Sequence, residues 1–176
     1  MSSFGKEQSM FTLKSYNHSL LLQIEDNGIL AATADPFESL GRPNVYFYVE
    51  TAADLELDRL QYQFKPYSQS DKYIAVINGE IALKTKSECT ESERSFYIHH
   101  ENGDYMSFFV YTAGTTYYLF CEYNGLLGAS RTKPERAAWF HMLPKDQETV
   151  LFESKELLFA TNSFIDIMTE ITLVEE

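Results

Sequence analysis

The sequence predicts an all-β chain in which one four-stranded module is repeated three times. Three observations carry that reading. First, Asn-Gly, a strong hairpin signal because both residues tolerate positive φ, occurs at Asn27-Gly28, Asn78-Gly79 and Asn124-Gly125. Second, each of these sits in the same phrase: a β-prone apolar run, the turn, a short apolar run, a polar loop and an aromatic strand. The Asn positions lie 51 and 46 residues apart. Third, a further β-prone run precedes each phrase, giving four strands per unit and twelve in all. A period near 40 to 50 residues also fits propeller blades, but three blades are too few for a usual propeller. Three four-stranded units close instead into a β-trefoil, in which six strands form a short barrel and three hairpins cap one end. The competing arrangement is a two-sheet sandwich whose hairpins are alike by accident.

The first unit reads as "SMFTLKS", then the two runs of "LLLQIEDNGILAATADP", then "VYFYVE" from Val45. The second reads as "RLQYQFKP", where Leu60, Tyr62 and Phe64 alternate, then "KYIAVINGEIALKTKSE", then "SFYIHH" from Ser95. The third reads as "YMSFFVYT", then "YYLFCEYNGLLGASRTKP", then "AWFHML" from Ala138. A fourth Asn-Gly, in "ENGD" at 101–104, reads as the hairpin turn between "SFYIHH" and "YMSFFVYT". Two stretches fall outside the repeat. "TAADLELDRL" reads as a helical turn in a loop. In the tail, "SFIDIMTEI" opens on a Ser cap and sets Phe164, Ile167, Met168 and Ile171 on one helical face, while its β-branched content leaves strand open. The expected division is a trefoil domain at 1–144 and a C-terminal extension at 145–176 that packs on the barrel or on a partner.

Composition narrows the functional classes. The 176 residues are 44% hydrophobic and 15% aromatic, enough for one domain with a full core. No apolar run approaches the roughly 20 residues of a membrane span. The opening "MSSFGKEQSM" lacks the apolar stretch of a signal peptide. The expectation is a cytosolic chain, one exported by a leaderless route, or one shown without its leader. A net charge of −12 argues against nucleic acid, heparin-like polyanions and anionic membrane as main partners, since each is won by neutralising phosphate or sulfate. Two cysteines, Cys89 and Cys121, make no disulfide framework and read as reduced thiols. Asn17-His18-Ser19 fits a glycosylation triplet and reads as chance without a leader.

No catalytic constellation stands out, and no cofactor or metal is expected. The four histidines, His18, His99, His100 and His141, form no zinc-type spacing. A site from His99 and His100 with Glu101 or Asp104 is disfavoured because adjacent strand residues point to opposite faces. No glycine-rich phosphate loop, G-x-S-x-G or Asp-rich calcium loop occurs. Cys121 and His141 would make a thiol nucleophile if they met in space, whereas "YYLFCEY" makes Cys121 a packed strand residue. Sugar-binding trefoils often carry Gln-x-Trp in each unit; Trp139 is the chain's single tryptophan, and its aromatic strands read as barrel filling. Arg131, Lys133 and Arg136 form a basic run in an acidic chain, either a solvated loop or a patch that steers a partner.

Several of these segments resemble the interleukin-1 family of cytokines, β-trefoils without conventional signal peptides. "FVYTAGTTYYLFCE" places Phe109, Tyr118 and Leu119 on the family's third-unit pattern. "FGKEQS" from Phe4, "RPNVYFYVET" and "YYLFCEY" are similar to the interleukin-18-like branch, and the likeness covers roughly residues 4–143. It implies a non-enzymatic, monomeric ligand, cytoplasmic as a precursor and extracellular when mature. Such a ligand binds two different immunoglobulin-type receptor ectodomains in turn, with a soluble binding protein as a further partner. Lys6, Lys14, Asp35 and Arg59 lie in or near segments that resemble receptor-facing strands and loops; Arg131 and Lys133 join them on charge alone. Fibroblast growth factors are similar too, through "KYIAVINGEIALKTKSEC" and "LLGASRTKPERAAWFHMLP". Their heparin-binding loop is far more basic than Arg131, Lys133 and Arg136, so net charge favours the interleukin reading. A third reading is an intracellular β-trefoil interaction module.

Overall fold

The structure is a computed structural model that describes residues 9–147. Its twelve strands follow the three phrases. The first unit holds β1 (Ser9–Ser15), β2 (Leu21–Ile24), β3 (Leu30–Ala34) and β4 (Phe47–Asp54). The second holds β5 (Arg59–Pro66), β6 (Tyr73–Ile77), β7 (Glu80–Lys84) and β8 (Tyr97–His100). The third holds β9 (Met106–Thr112), β10 (Thr115–Cys121), β11 (Leu127–Ser130) and β12 (Phe140–Pro144). Two one-turn helices, α1 (Pro36–Ser39) and α2 (Glu91–Arg94), lead towards β4 and β8.

The outer strands of each unit form a closed antiparallel ring. β1 pairs with β12 and β4, β4 with β5, β9 with β8 and β12. The remaining join, from β5 to β8, is a single bridge in which Tyr62 and Phe96 exchange two backbone hydrogen bonds of 2.8 Å. Closure leaves the wall without a free edge, which is how small β barrels avoid unpaired backbone groups. The inner strands make the hairpins β2–β3, β6–β7 and β10–β11. The first and third of these are stitched together where Ala32 N–H donates to the Gly125 carbonyl at 2.7 Å and Ala31 bridges Leu126. The architecture is a β-trefoil.

The repeat is legible in the core. Allowing for one extra residue before the Asn-Gly in the first and third units, Leu22, Ile74 and Leu119 take equivalent places; three residues after each Asn, so do Leu30, Ile81 and Leu127. Ile24, Val76 and Cys121 form a third such set, so the Cys121 thiol fills a site that two aliphatic chains fill elsewhere. In the wall, Phe47, Phe64, Phe96, Phe108 and Phe140 are fully buried. Phe64 meets Phe96 and Phe108 at ring-centroid distances of 5.6 and 5.3 Å, and Phe108 meets Phe140 at 5.9 Å. Each buried ring contributes about 1.5–3 kcal/mol, and ring pairs add roughly 0.5–1.5 kcal/mol. A buried ion pair joins β4 to β5: Lys65 Nζ lies 2.7 Å from Glu50, over the rings of Tyr48 and Tyr73. Burial, and then the Glu50 charge, push the Tyr73 phenol up to about 12.

Two details differ from the sequence expectation. A two-residue turn with positive φ at both Asn and Gly occurs in the second unit, at Asn78 (52°) and Gly79 (80°). In the first and third units one more residue enters the turn. Gly28 N–H then donates to the Glu25 carbonyl and Gly125 N–H to that of Glu122, and only the glycine has positive φ. The Asn side chains accept instead from the N–H of Ile29 and Leu126. This is the three-residue loop closed by a left-handed glycine. The second correction concerns "TAADLELDRL": it is not helical. Residues 51–54 extend β4, paired through Asp54↔Arg59, and the chain reverses over 55–58. The tail's helical face and its packing fall outside the described residues, as does Lys6.

Gly28 and Gly125 separate two effects. Both have positive φ, but a Cβ at Gly28 meets nothing within 4 Å, whereas one at Gly125 would lie 2.9 Å from the Ala32 carbonyl oxygen. Gly28→Ala is expected to cost about 1–2 kcal/mol, the left-handed penalty alone. Gly125→Ala should cost roughly 1–3 kcal/mol more, because the stitch between hairpins must open. Urea unfolding of the two variants measures the difference.

Candidate protein-docking surface

β4 and β5 are eight residues each and pair along their whole length, from Phe47↔Pro66 to Asp54↔Arg59. The barrel needs only the inner part, where Phe47, Val49 and Phe64 enter the core. The outer part overhangs. Its tip carries Leu55, Leu57 and Leu60 at 90%, 57% and 53% exposure, interleaved with exposed Glu56, Asp58 and Arg59. Single exposed leucines are ordinary, but three within six residues of one hairpin tip make an apolar patch, the usual mark of a contact surface.

The tip is built, not loose. The Asp54 carboxylate accepts from the N–H of Glu56 at 3.0 Å and of Leu57 at 3.4 Å, which nucleates the turn. Asp58 closes it in the left-handed region (φ 50°), a conformation that a short polar side chain tolerates. Underneath, the Tyr97 hydroxyl on β8 donates to Asp54 at 2.8 Å and accepts from Gln61 Nε2 at 2.8 Å. Gln63 Nε2 donates to the Ser95 hydroxyl at 3.0 Å in a buried bond. The Tyr97 hydrogen bond holds the Asp54 carboxyl below its ordinary range against the opposing effect of burial, with the Leu57 and Glu56 amides assisting.

A cleft of about 350 Å³ opens between this hairpin and α2. Asp54, Leu55, Glu56, Gln61, Ser92 and Ser95 are among its lining residues. α2 is fixed there by Thr90, whose hydroxyl accepts from Glu93 N–H while the Glu93 carboxylate accepts from Thr90 N–H at 2.8 Å. Gln61 Oε1 is fully buried, with no hydrogen-bond partner among the described residues.

The residues expected to face a receptor fall on separate elements. Arg59 alone lies on the hairpin tip, opposite Asp54. Lys14 is half-buried on β1, in register with His141 and Leu21. Asp35 caps α1, accepting from Phe37 and Glu38 N–H at 2.9 and 3.0 Å. Arg131 is exposed beyond β11, and Lys133 is paired with Glu101. Burial raises the Glu101 carboxyl, but Lys133 and the Ser107 hydroxyl outweigh it and hold the group low. None of Leu55, Leu57 and Leu60 is expected at a contact surface from the sequence, where Leu60 reads only as part of a strand alternation; the signal for Leu55 and Leu57 was the alternation of leucine with Asp and Glu in "DLELD", which a helical reading obscures.

Nothing in the thiol's surroundings activates it. Burial pushes Cys121 up to about 11, against a hydrogen bond with Ser15, so it is a thiol at neutral pH. Burial and the nearby Lys14 lower His141, with Asp104 opposing. His99 and His100 are exposed at the end of β8, and among the described residues no group of three His, Cys, Asp or Glu is placed to hold a metal. Trp139 packs against Tyr16 at 5.2 Å and Tyr105 at 6.4 Å.

No family model matches the chain. No curated protein matches it. Among solved structures, a designed 3-fold symmetric protein, ThreeFoil, is similar with a TM-score of 0.58 and 11% identity, over 76% of this chain and 97% of its own. A mosquitocidal holotoxin is similar at 0.60 and 9% identity, over 77% of this chain. So is a GlcNAcα1-4Gal-releasing endo-β-galactosidase from Clostridium perfringens, at 0.60 and 13% identity, over 77% of this chain. The chain spans only 16% of the toxin's length and 32% of the enzyme's. At these identities the likeness shows the β-trefoil fold and nothing finer.

Two outcomes follow from the titrating groups. Tyr97→Phe should move the Asp54 carboxyl upwards towards its ordinary range, read by NMR titration of the side-chain carboxyl. In the unsubstituted protein the turn is fully held above the ordinary carboxylate range and loosens as pH falls through the depressed Asp54 value. Cys121 should resist iodoacetamide at pH 8 while the protein is folded and react once it is unfolded in urea, counted by mass spectrometry.

Proposed function

We propose that this chain is a non-enzymatic protein ligand: a β-trefoil cytokine of the interleukin-1 type that docks on immunoglobulin-type receptor ectodomains. One observation carries the reading. A rigid trefoil presents an over-long β4–β5 hairpin whose tip exposes Leu55, Leu57 and Leu60 in an acidic setting. Such a surface suits the centre of an interface, where a few anchored side chains supply most of the energy. The sequence likeness to interleukin-18-like cytokines gives the receptor class. One receptor chain binds first, and a second joins the composite surface, bringing their signalling domains together. The mature ligand acts outside the cell.

Fibroblast growth factor-type activity is the alternative, and the third-unit loop weighs against it. Lys133 is committed to Glu101, which thins a loop already poorer in cations than heparin binding requires. The test is biolayer interferometry of the purified chain against immobilised ectodomains of interleukin-1-type and fibroblast growth factor-type receptors. Saturable binding to an interleukin-1-type ectodomain is the expected result. Binding confined to the growth-factor receptors would transfer the chain to that class. Absence of saturable binding across the panel would overturn the ligand reading and leave the intracellular interaction module.

A further inference from the structure

We propose that the β4–β5 tip and the cleft beneath it dock a protein surface that is apolar at its centre and basic at its rim, with an arginine seated in the cleft. The inference rests on the ligand reading for its biological setting, but its chemistry is read from this surface alone. The tip offers three leucines with no apolar cover, and the hairpin carries Asp54, Glu56 and Asp58 against Arg59. A partner must therefore match leucine with apolar surface and carboxylate with cation.

The cleft sharpens this. Of the residues lining it, Asp54 and Glu56 bring carboxylates, which accept hydrogen bonds and cannot donate them. A planar guanidinium, with five donors in a fixed fork, meets several acceptors at once where an ammonium meets them as a point charge. A volume of about 350 Å³ accommodates such a side chain. The Tyr97 bond holds the Asp54 carboxylate in place beforehand, so that acceptor needs little ordering at the moment of binding.

Other occupants fit less well. A second copy brings a net charge of −12 against an already acidic tip, and nucleic acid or anionic lipid meets the same repulsion. A basic protein surface is drawn in by the field that repels these.

The probe is a synthetic peptide alternating leucine and arginine, compared with its leucine–glutamate counterpart, in NMR titrations of the 15N-labelled full chain. The arginine peptide should shift amides at 54–61 and 91–95, with affinity falling as salt rises. The glutamate peptide should bind at least about tenfold more weakly. Leu55→Ser with Leu57→Ser, and separately Glu56→Lys with Asp58→Lys, should each weaken the arginine peptide by about tenfold or more. An unchanged β4–β5 amide pattern, apart from the substituted sites, shows that each variant keeps the hairpin. Equal shifts from both peptides, or shifts confined to another surface, overturn the proposal. A receptor from the panel whose affinity ignores both double variants also overturns it while leaving the ligand reading intact. Mapping to this hairpin with an empty panel supports the site and removes the receptor.

Discussion

The whole molecule depends on closing a six-stranded ring whose members come from all three units. Each wall strand needs two neighbours, because an open edge would leave a row of buried backbone groups without partners. Five of the joins are made between assigned strands, but the one between β5 and β8 consists of the Tyr62–Phe96 exchange. Those two residues are also packed apolar groups, Phe96 fully buried against Phe64. Aromatic filling and backbone closure therefore reinforce one another at this join. From that closed wall everything else is suspended: the three hairpins, the helices α1 and α2, and the overhang of β4–β5.

The overhang works because its root is polar and its tip is not. Between barrel and tip, hydrogen bonds take the place of the wall's phenylalanines: Gln63 bonds to Ser95, and Gln61 and Tyr97 form a chain that ends on Asp54. Directional bonds fix the angle at which the ladder leaves the barrel, which dispersion contacts alone would specify less sharply. The tip is left to present leucines and carboxylates side by side, a combination in which apolar contact supplies adhesion and charge selects the partner. Arg131 and Lys133, the loop favoured on charge alone, illustrate the opposite case. The Lys133 cation is spent inside the fold, on Glu101, which the Ser107 hydroxyl also contacts.

How much of this was legible beforehand follows from the range of each signal. Strand positions and the trefoil were readable because Asn-Gly and apolar alternation are local and occur three times, so each copy corroborated the others. The turn types were not fully readable. Asp26 and Tyr123 each add one residue before the Asn-Gly, and that residue changes the loop from two members to three without altering the dipeptide. "TAADLELDRL" misled because it has no counterpart in the other units and mixes helix formers with alternation; pairing with Arg59–Tyr62, a tertiary fact, decides it. The Asp54–Tyr97–Gln61 chain joins residues as much as 43 apart, and no single-sequence pattern announces such a contact. Cys121 was readable as packed, since it stands where Ile24 and Val76 stand.

The pairing of β1 with β12 has a consequence for how the protein is made. Phe11 faces Pro144 and Ser15 faces Phe140, so on the ribosome β1 waits for β12. At ordinary translation speeds that interval is on the order of ten seconds. Throughout it, β1 has β2 and β4 on hand but one flank bare, an apolar ribbon open to any stray strand. Topologies dominated by such distant partners also fold slowly once complete, in milliseconds to seconds. A nascent chain of this design has reason to lean on chaperones until β12 is released.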